Sequence, residues 1–194
     1  MPTTLNIKEP GLNVLPPGVE RHTVNMGGLT GLQIFPDDQI EIINEEGNQI
    51  CEIICFDKNG KSELGILSLK ENIKKSFIKE ILNNNDESSL ITKLQLKKRN
   101  LNINNSKSSI VFDKDTPSGE KVKLKSKDKC YVIFSAPKNE MLISDQNPSG
   151  DLTIFIKRAK INKDKELSVI PDPVFEPNYE KNIDRQTCIS YQVK

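Results

Sequence analysis

Short stretches in which apolar and polar residues alternate, separated by turn residues, make up most of the chain. Alternation places successive side chains on opposite faces of a strand, so each stretch predicts a half-buried strand. The predicted strands are residues 20–26, 32–35, 39–44, 49–57, 109–113, 121–124, 130–135, 141–144, 152–158 and 187–193. Gly31 helps to separate the first two strands, and a Pro-Asp-Asp turn at residues 36–38 separates the next two. The whole pattern predicts a mainly β fold, a barrel or sandwich of about ten short strands.

One amphipathic helix is predicted over residues 69–82. Ser68 and Glu71 form a Ser-x-x-Glu sequence, in which each side chain can satisfy the free backbone N–H of the other residue. Apolar residues follow at helical spacing: Ile73, Phe77, Ile78, Ile81 and Leu82. We expect this helix to pack on the sheet. Residues 88–96 fit a strand or a helix equally well, and residues 100–107 indicate a polar loop.

The third and fourth predicted strands flank the loop Glu45-Glu46-Gly47-Asn48. Glycine can adopt the positive φ angle that tight turns require. Two β-rich stretches around such a loop predict a hairpin that spans residues 39–57.

Proline and glycine mark the ends of the domain. Pro10, Pro16 and Pro17 predict that residues 1–18 form an extended arm, and residues 19–194 are expected to form a single mainly-β domain. Residues 172–179 carry prolines, which cannot donate to a β ladder, and are expected to be extended and irregular. The last predicted strand stops one residue before Lys194. We therefore expect the chain to be a fragment of a longer one.

The composition of the chain bears on its cellular location. Hydrophobic residues make up 35% of the chain and charged residues 28%. No apolar stretch approaches the ~20 residues that span a bilayer. The N-terminus lacks the charged start and apolar core of a secretory signal. We expect a cytoplasmic protein with no membrane partner.

Positive charge is concentrated in the middle of the chain. Residues 1–92 contain 8 basic and 14 acidic side chains, whereas residues 93–129 contain 11 and 4. Within the basic segment, Lys121, Lys123 and Lys125 alternate with Val122 and Leu124, which is typical of the wet face of an edge strand. The three lysines are also candidates for binding an anion. Aromatic residues do not interleave and arginine is scarce, so we expect no nucleic-acid partner.

The candidate reactive side chains are few. Cys51, Cys55, Cys130 and Cys188 each lie in a strand-like stretch, which favours buried structural thiols. Cys51 and Cys55 point to the same face of a strand, and with His22 they form an alternative metal site, although zinc generally takes about four ligands. His22 is the only histidine, and its neighbours give no sign of a catalytic triad. We therefore predict no catalytic residues.

Three stretches together resemble known modules. The first is residues 36–52, with Gly47-Asn48-Gln49 and Glu52, and it is similar to the core of the urea carboxylase-associated family. The second is the Phe-Ser-Ala-Pro sequence at residues 134–137, leading to residues 150–159, and the third is Ile-Pro-Asp-Pro at residues 170–173. In this order they resemble the N-terminal region of multi-domain aminomethyltransferase-like proteins related to the glycine-cleavage T-protein.

The resemblance implies a non-catalytic accessory domain. Its partner would be the catalytic domain of the same polypeptide or of another protomer. The parent protein would use tetrahydrofolate, whereas this chain would bind no cofactor and would not be an enzyme by itself. The alternative is a metal-dependent hydrolase or deiminase of the urea carboxylase-associated type, with a divergent site that uses Glu52, His22 and a cysteine. Glu52 stands where that family usually has aspartate.

Overall fold

Eight strands form two antiparallel sheets in the computed structural model, which describes residues 15–73, 75–84, 86–138 and 150–160. The strands are β1 Val19–Val24, β2 Leu29–Ile34, β3 Gln39–Asn44, β4 Cys51–Asp57, β5 Ser108–Phe112, β6 Glu120–Lys125, β7 Cys130–Ser135 and β8 Leu152–Lys157. The first sheet has the order β1-β8-β3-β6, and the second has the order β2-β7-β4-β5. The prediction of a mainly β fold is confirmed, in its sandwich form, because the sheets do not close into a barrel.

The main core lies between the two sheets. Alternate residues of both sheets turn inward, as Ile40 and Ile42 do on β3 and Ile53 and Cys55 do on β4, and all four are fully or almost fully buried. This arrangement follows from the period of two that the sequence shows. The opposite face of the second sheet is also apolar and carries a second core under the helices.

Two helices cover that outer face. Helix α1 spans Phe77–Leu82, and helix α2 spans Glu87–Lys98. Asp86 begins α2 by accepting a hydrogen bond from the backbone N–H of Ser89 at 2.8 Å. The stretch that fitted strand or helix equally is therefore helical.

The predicted helix over residues 69–82 begins later than expected. Ser68 is not an N-cap, because it ends a 3₁₀ turn at Leu64–Leu67 with a φ angle of 59°. The N-cap of α1 is Ser76, whose Oγ accepts from the N–H of Lys79. The physical reason lies in Asn72: its side chain donates to the carbonyl of Ile110 at 2.8 Å and accepts from the Ile110 N–H at 2.7 Å. These two bonds hold the chain around Asn72 against β5, so that this part of the chain does not form a helix.

The predicted hairpin does not form. Strand β3 pairs with β6 and β8, whereas β4 pairs with β5 and β7, so residues 45–50 cross from one sheet to the other. Both strands carry an apolar face, and crossing lets these faces meet across the core. The expected positive φ angle is present, at 81° for Gly47 and 56° for Asn48.

Gly31 also differs from its prediction, because it lies inside β2 and not between strands. A Cβ atom there would overlap the Tyr131 hydroxyl, so glycine provides the space for this ring. The predicted strands at residues 141–144 and 187–193 and the irregular segment at residues 172–179 lie outside the described residues. So do most of the predicted arm and the far end of the predicted single domain.

The described residues belong to one compact unit, Met1–Lys160. Among the described residues, no helix is long and apolar enough to cross a membrane.

Candidate functional site

The segment that crosses between the sheets, residues 44–52, is called here the crossover corner. Gln49 is fully buried in it and donates from Nε2 to the carbonyls of Ile50 and Pro137, both at 2.9 Å. Asn44 donates from Nδ2 to the carbonyl of Gln49 at 2.9 Å. The glutamine of the quoted motif thus ties the start of β4 to the chain that follows β7.

Gly47 and Asn48 fit the corner against the loop at residues 116–119. A Cβ atom on Gly47 would lie 2.7 Å from the backbone nitrogen of Ser118, closer than packed atoms allow. The N–H of Asn48 donates to the carbonyl of Thr116 at 2.8 Å. Gly47 and Asn48 therefore pack the backbone of the crossover corner against the backbone of residues 116–119. The Gly-Asn-Gln motif has a structural role here.

Glu52 is the most unusual side chain of the corner. It is fully buried on the outer face of the second sheet, and its Oε2 accepts from the N–H of Ile78 in the first turn of α1 at 2.8 Å. A helix start carries partial positive charge, which favours a carboxylate there. The bond anchors α1 to β4.

Two oxygens beside this anchor lack hydrogen-bond partners. Glu52 and Ser135 lie opposite each other on β4 and β7, and within the described part of the chain neither Glu52 Oε1 nor Ser135 Oγ has a partner. The carboxamide oxygens of Asn44 and Gln49, also in the corner, share this property. Unsatisfied acceptors are uncommon in native interiors. The corner thus has unused acceptor capacity, although it is closed to solvent.

A cluster of charged side chains lies at the opposite edge of the sandwich. We call Glu20, His22, Asp38 and Arg158 the Arg158 cluster. Arg158 binds Glu20 through two hydrogen bonds, from Nε at 2.7 Å and from Nη2 at 2.8 Å. Its Nη1 donates to Asp38 Oδ2 at 2.7 Å and to the carbonyl of Gln33 at 2.9 Å. Since Gln33 lies on β2, the cluster connects the edges of the two sheets.

Backbone groups complete the cluster around Asp38. The side chain of Asp38 is 2% exposed and also accepts from the N–H groups of Phe35 and Ala159, at 3.0 and 2.9 Å. His22 Nε2 lies 3.1 Å from Glu20 Oε2. The hydrogen bond to His22, together with Arg158, lowers the pKa of Glu20 from 4.5 to about 2. Burial alone would lower the pKa of Arg158, but its bonds to the two carboxylates outweigh burial and raise it. The positive charge of Arg158 is thus paired with the carboxylates of Glu20 and Asp38, which indicates a structural role for the Arg158 cluster.

The structure does not assemble the alternative metal site. His22 lies on β1 in the first sheet and is bound to Glu20, whereas Cys51 and Cys55 lie on β4 in the second sheet. Among the residues that the structure describes, no group of three or more His, Cys, Asp or Glu side chains is placed to hold a metal ion. The alternative metal site of His22, Cys51 and Cys55 stays a prediction.

The described cysteines are free and buried, as the sequence indicated. Burial, and next the charge of Glu52, raises the pKa of the Cys51 thiol well above its usual range. Cys55 and Cys130 form a hydrogen bond that raises the pKa of Cys55 and lowers that of Cys130. None of the three thiols lies open to solvent.

The predicted lysines alternate as expected on the edge strand β6, with their side chains exposed. Lys123 Nζ lies 3.4 Å from Glu41 Oε1, and Lys125 Nζ lies 2.8 Å from Asp37 Oδ1. Lys123 and Lys125 line an open groove of about 430 Å³ that also includes Glu41 and Phe155. We call it the Phe155 groove. Anion binding by Lys121 and its two neighbours stays a prediction.

Sequence reasoning missed the Arg158 cluster. Its members come from positions 20, 22, 38 and 158, and no local pattern connects them. The available signal was the scarcity of arginine in a lysine-rich chain, which makes an arginine just after β8 unusual.

No protein-family model matches the chain. The chain is similar to the trimethylamine-oxide aldolase of Ruegeria pomeroyi, with 30% identity over 188 residues. The matched region includes 97% of this chain but only 24% of the length of that relative.

This finding corrects the resemblance drawn from the sequence. The relative is an aldolase, so the assignment to aminomethyltransferase-like transferases and to the urea carboxylase-associated family was wrong. The accessory function and its hydrolase or deiminase alternative were wrong for the same reason. The physical cause is visible at Gly47 and Gln49, which serve the crossing between sheets and say little about chemistry. Tetrahydrofolate was inferred only through that resemblance and stays a prediction.

Proposed function

We propose that this chain is part of an aldolase-type enzyme that cleaves trimethylamine oxide or a similar small amine oxide. The observation that carries the proposal is the 188-residue match, which extends over nearly the whole chain. A match confined to one motif would support only a shared turn, whereas this one includes the strands of both sheets.

The chemistry of such a cleavage is self-contained. Trimethylamine oxide splits into dimethylamine and formaldehyde with all atoms balanced: one C–N bond, one C–H bond and the N–O bond break, while a C=O bond and an N–H bond form. The carbon is oxidised as the N–O bond is reduced, so no external oxidant or reductant is consumed. The enzyme must hold a small zwitterion and move one proton from carbon to nitrogen.

Among the described surfaces, the Phe155 groove suits such a zwitterion best. An aromatic ring and a carboxylate attract a methylated ammonium group. Glu41 supplies the carboxylate, and Phe155 supplies a ring on which Arg21 also stacks, 5.9 Å from the ring centre. The ammonium of Lys123, 3.4 Å from Glu41, offers a donor for the N-oxide oxygen. Bound substrate would replace the contact between Glu41 and Lys123 with one contact to each of its own opposite charges.

The test uses the complete protein that contains this chain. Incubation with trimethylamine oxide should release formaldehyde and dimethylamine in equal amounts, measured by a colorimetric aldehyde assay and by proton NMR. Trimethylamine, which lacks the N–O oxygen, should release neither. Absence of formaldehyde from a folded protein would refute the proposal.

Variants locate the site. Phe155→Leu keeps the apolar volume and should raise KM by roughly fivefold with little change in kcat. Lys123→Gln should raise KM by roughly tenfold. The matched control is Lys121→Gln, on the same strand but outside the groove, which should leave KM unchanged. Equal effects of the two lysine variants would move the site away from the groove while leaving the aldolase proposal intact.

The cellular location and the partners expected from the sequence are part of the proposal. We propose a cytoplasmic location and a partner domain on the same polypeptide or on another protomer, with no nucleic acid and no membrane as partners.

A further inference from the structure

A second groove of about 420 Å³ opens at the end of α2, beside the turn that follows β4 and the start of β7. We call it the Arg99 groove. Its lining includes three cations, Lys58, Arg99 and Lys129, and one acid, Asp57. It shares no lining residue with the Phe155 groove and does not depend on the proposed function.

Arg99 is a cation with unused donors. Its guanidinium carbon lies 4.6 Å from the centre of the Tyr131 ring. Within the described part of the chain its side chain makes no hydrogen bond and no ion pair. An arginine stacked on an aromatic ring keeps its planar fork of N–H groups available for an oxyanion.

The ring beneath Arg99 is firmly held. The Tyr131 hydroxyl donates to the side chain of Gln95, and the absent side chain of Gly31 leaves room for it. Burial raises the pKa of Tyr131 to about 12, so the phenol stays neutral and keeps this bond. A fixed ring limits the positions that Arg99 adopts and reduces the entropy lost when it binds a ligand.

The acids near the groove offset only part of the charge of its three cations. Asp57 accepts from the N–H groups of Asn59 and Lys61, at 2.9 and 2.8 Å, and is thereby committed to its own turn. Asp128 is 4.0 Å from Lys58, and both side chains are more than half exposed, so this pair is weak.

Another opposing effect is the helix dipole. The C-terminus of α2 carries about half of a negative charge. Much of this is screened locally, because Arg99, Asn100 and Leu101 donate their backbone N–H groups to the last carbonyls of the helix. The lining carries three positive charges and one negative charge, and this net positive charge of two outweighs the helix dipole.

We propose that the Arg99 groove binds an oxyanion with at least two negative charges, a phosphate or polycarboxylate group of a small molecule. Arg99 would contact two oxygens at once, and Lys58 and Lys129 would supply the remaining charge from either side. The volume is in the range of small-molecule sites.

Binding is tested on the complete protein with inorganic phosphate and with citrate, at constant ionic strength set by potassium chloride. A saturable rise of the thermal midpoint is expected with at least one of them. A response to phosphate alone assigns the site to phosphate groups, and a response to citrate alone assigns it to polycarboxylates. No saturable response to either would overturn the proposal.

Arg99→Gln should weaken binding by at least roughly tenfold. The matched control is Arg21→Gln, which removes the same charge from an arginine that stacks on Phe155, 5.9 Å from the ring centre, on the other sheet. Lys129→Gln serves as a second test. This lysine is exposed, so its replacement should leave the fold intact, and the loss of its charge should weaken binding several-fold. Equal weakening by Arg99→Gln and Arg21→Gln would show a response to net charge alone and would refute the site.

Discussion

Replacing Arg158 with methionine removes the central cation of the Arg158 cluster while keeping most of its stem. Asp38 would then hold a charge in a site where its side chain is only 2% exposed, with two backbone N–H groups as its remaining partners. Breaking a buried ion pair by removing one partner costs about 3–5 kcal/mol. The two backbone bonds still stabilise the carboxylate, so the lower end of this range applies to Asp38.

Losing the ion pair between Arg158 and Glu20 adds less to the decrease in the free energy of unfolding. Glu20 is 28% exposed and keeps His22, so water and the histidine replace much of what Arg158 provides, and this arm contributes about 1 kcal/mol or less. The sum is a loss of about 3–4 kcal/mol in the free energy of unfolding at pH 7. This is a large part of the ~5–15 kcal/mol that holds a typical domain together.

Urea denaturation followed by circular dichroism measures the loss. The midpoint should fall while the slope with denaturant stays unchanged, because the cluster adds little to the buried surface. A double-mutant cycle with Asp38→Asn should give a coupling of about 2 kcal/mol between the two residues. Arg158→Lys keeps the charge without the planar fork and should fall between wild type and Arg158→Met. A loss below about 1 kcal/mol for Arg158→Met, with coupling below about 0.5 kcal/mol, would refute the reasoning and show that solvent screens the cluster.

Three further changes test other contacts. Because the pKa of Glu20 is lowered from 4.5 to about 2, the stability it contributes is present above pH 4.5 and is lost between pH 4.5 and 2; in acid titrations Glu20→Gln should lose less stability than wild type over that window. Gly47→Ala should cost about 2 kcal/mol or more by urea denaturation, from positive φ and a backbone clash. Gly119→Ala, with a φ of 77° and nothing within 4 Å of the new atom, should cost only about 1 kcal/mol; equal losses would show that the clash is absent. Glu52→Ala should cost about 2–4 kcal/mol and speed amide exchange at Ile78, whereas Glu52→Gln keeps the acceptor and should cost less; unchanged exchange in both would mean that the bond does not anchor the helix.

The sequence predicted the strands better than their partners. Alternation along β3 and β4 identified both strands, because burial of one face has a local period of two. The assignment of these strands to different sheets depends on the core between them, which no local pattern records. The late start of α1 has a similar cause, since Asn72 bonds to a strand nearly forty residues away.

The candidate sites also divide into those that a local sequence pattern reveals and those that depend on contacts between distant residues. Exposed lysines on β6 were recognisable because edge strands carry them in regular alternation. The Arg158 cluster and the stacking of Arg99 on Tyr131 join residues from distant positions, so only the folded chain brings them together. The family assignment failed where a turn requirement at Gly47 was interpreted as a mark of function.

The position of β8 in the first sheet has a consequence for synthesis. This strand lies between β1 and β3 and pairs with both, although it is made after every other described strand. While the ribosome adds residues up to about position 150, β1 and β3 have no neighbour between them, and their apolar faces lack one wall of the core. We therefore expect the nascent chain to be exposed to protease and to association until β8 emerges. Released chains that end before Leu152 should be cut by protease far faster than released chains that extend to Lys160, and equal rates would show that the sheet closes without its central strand.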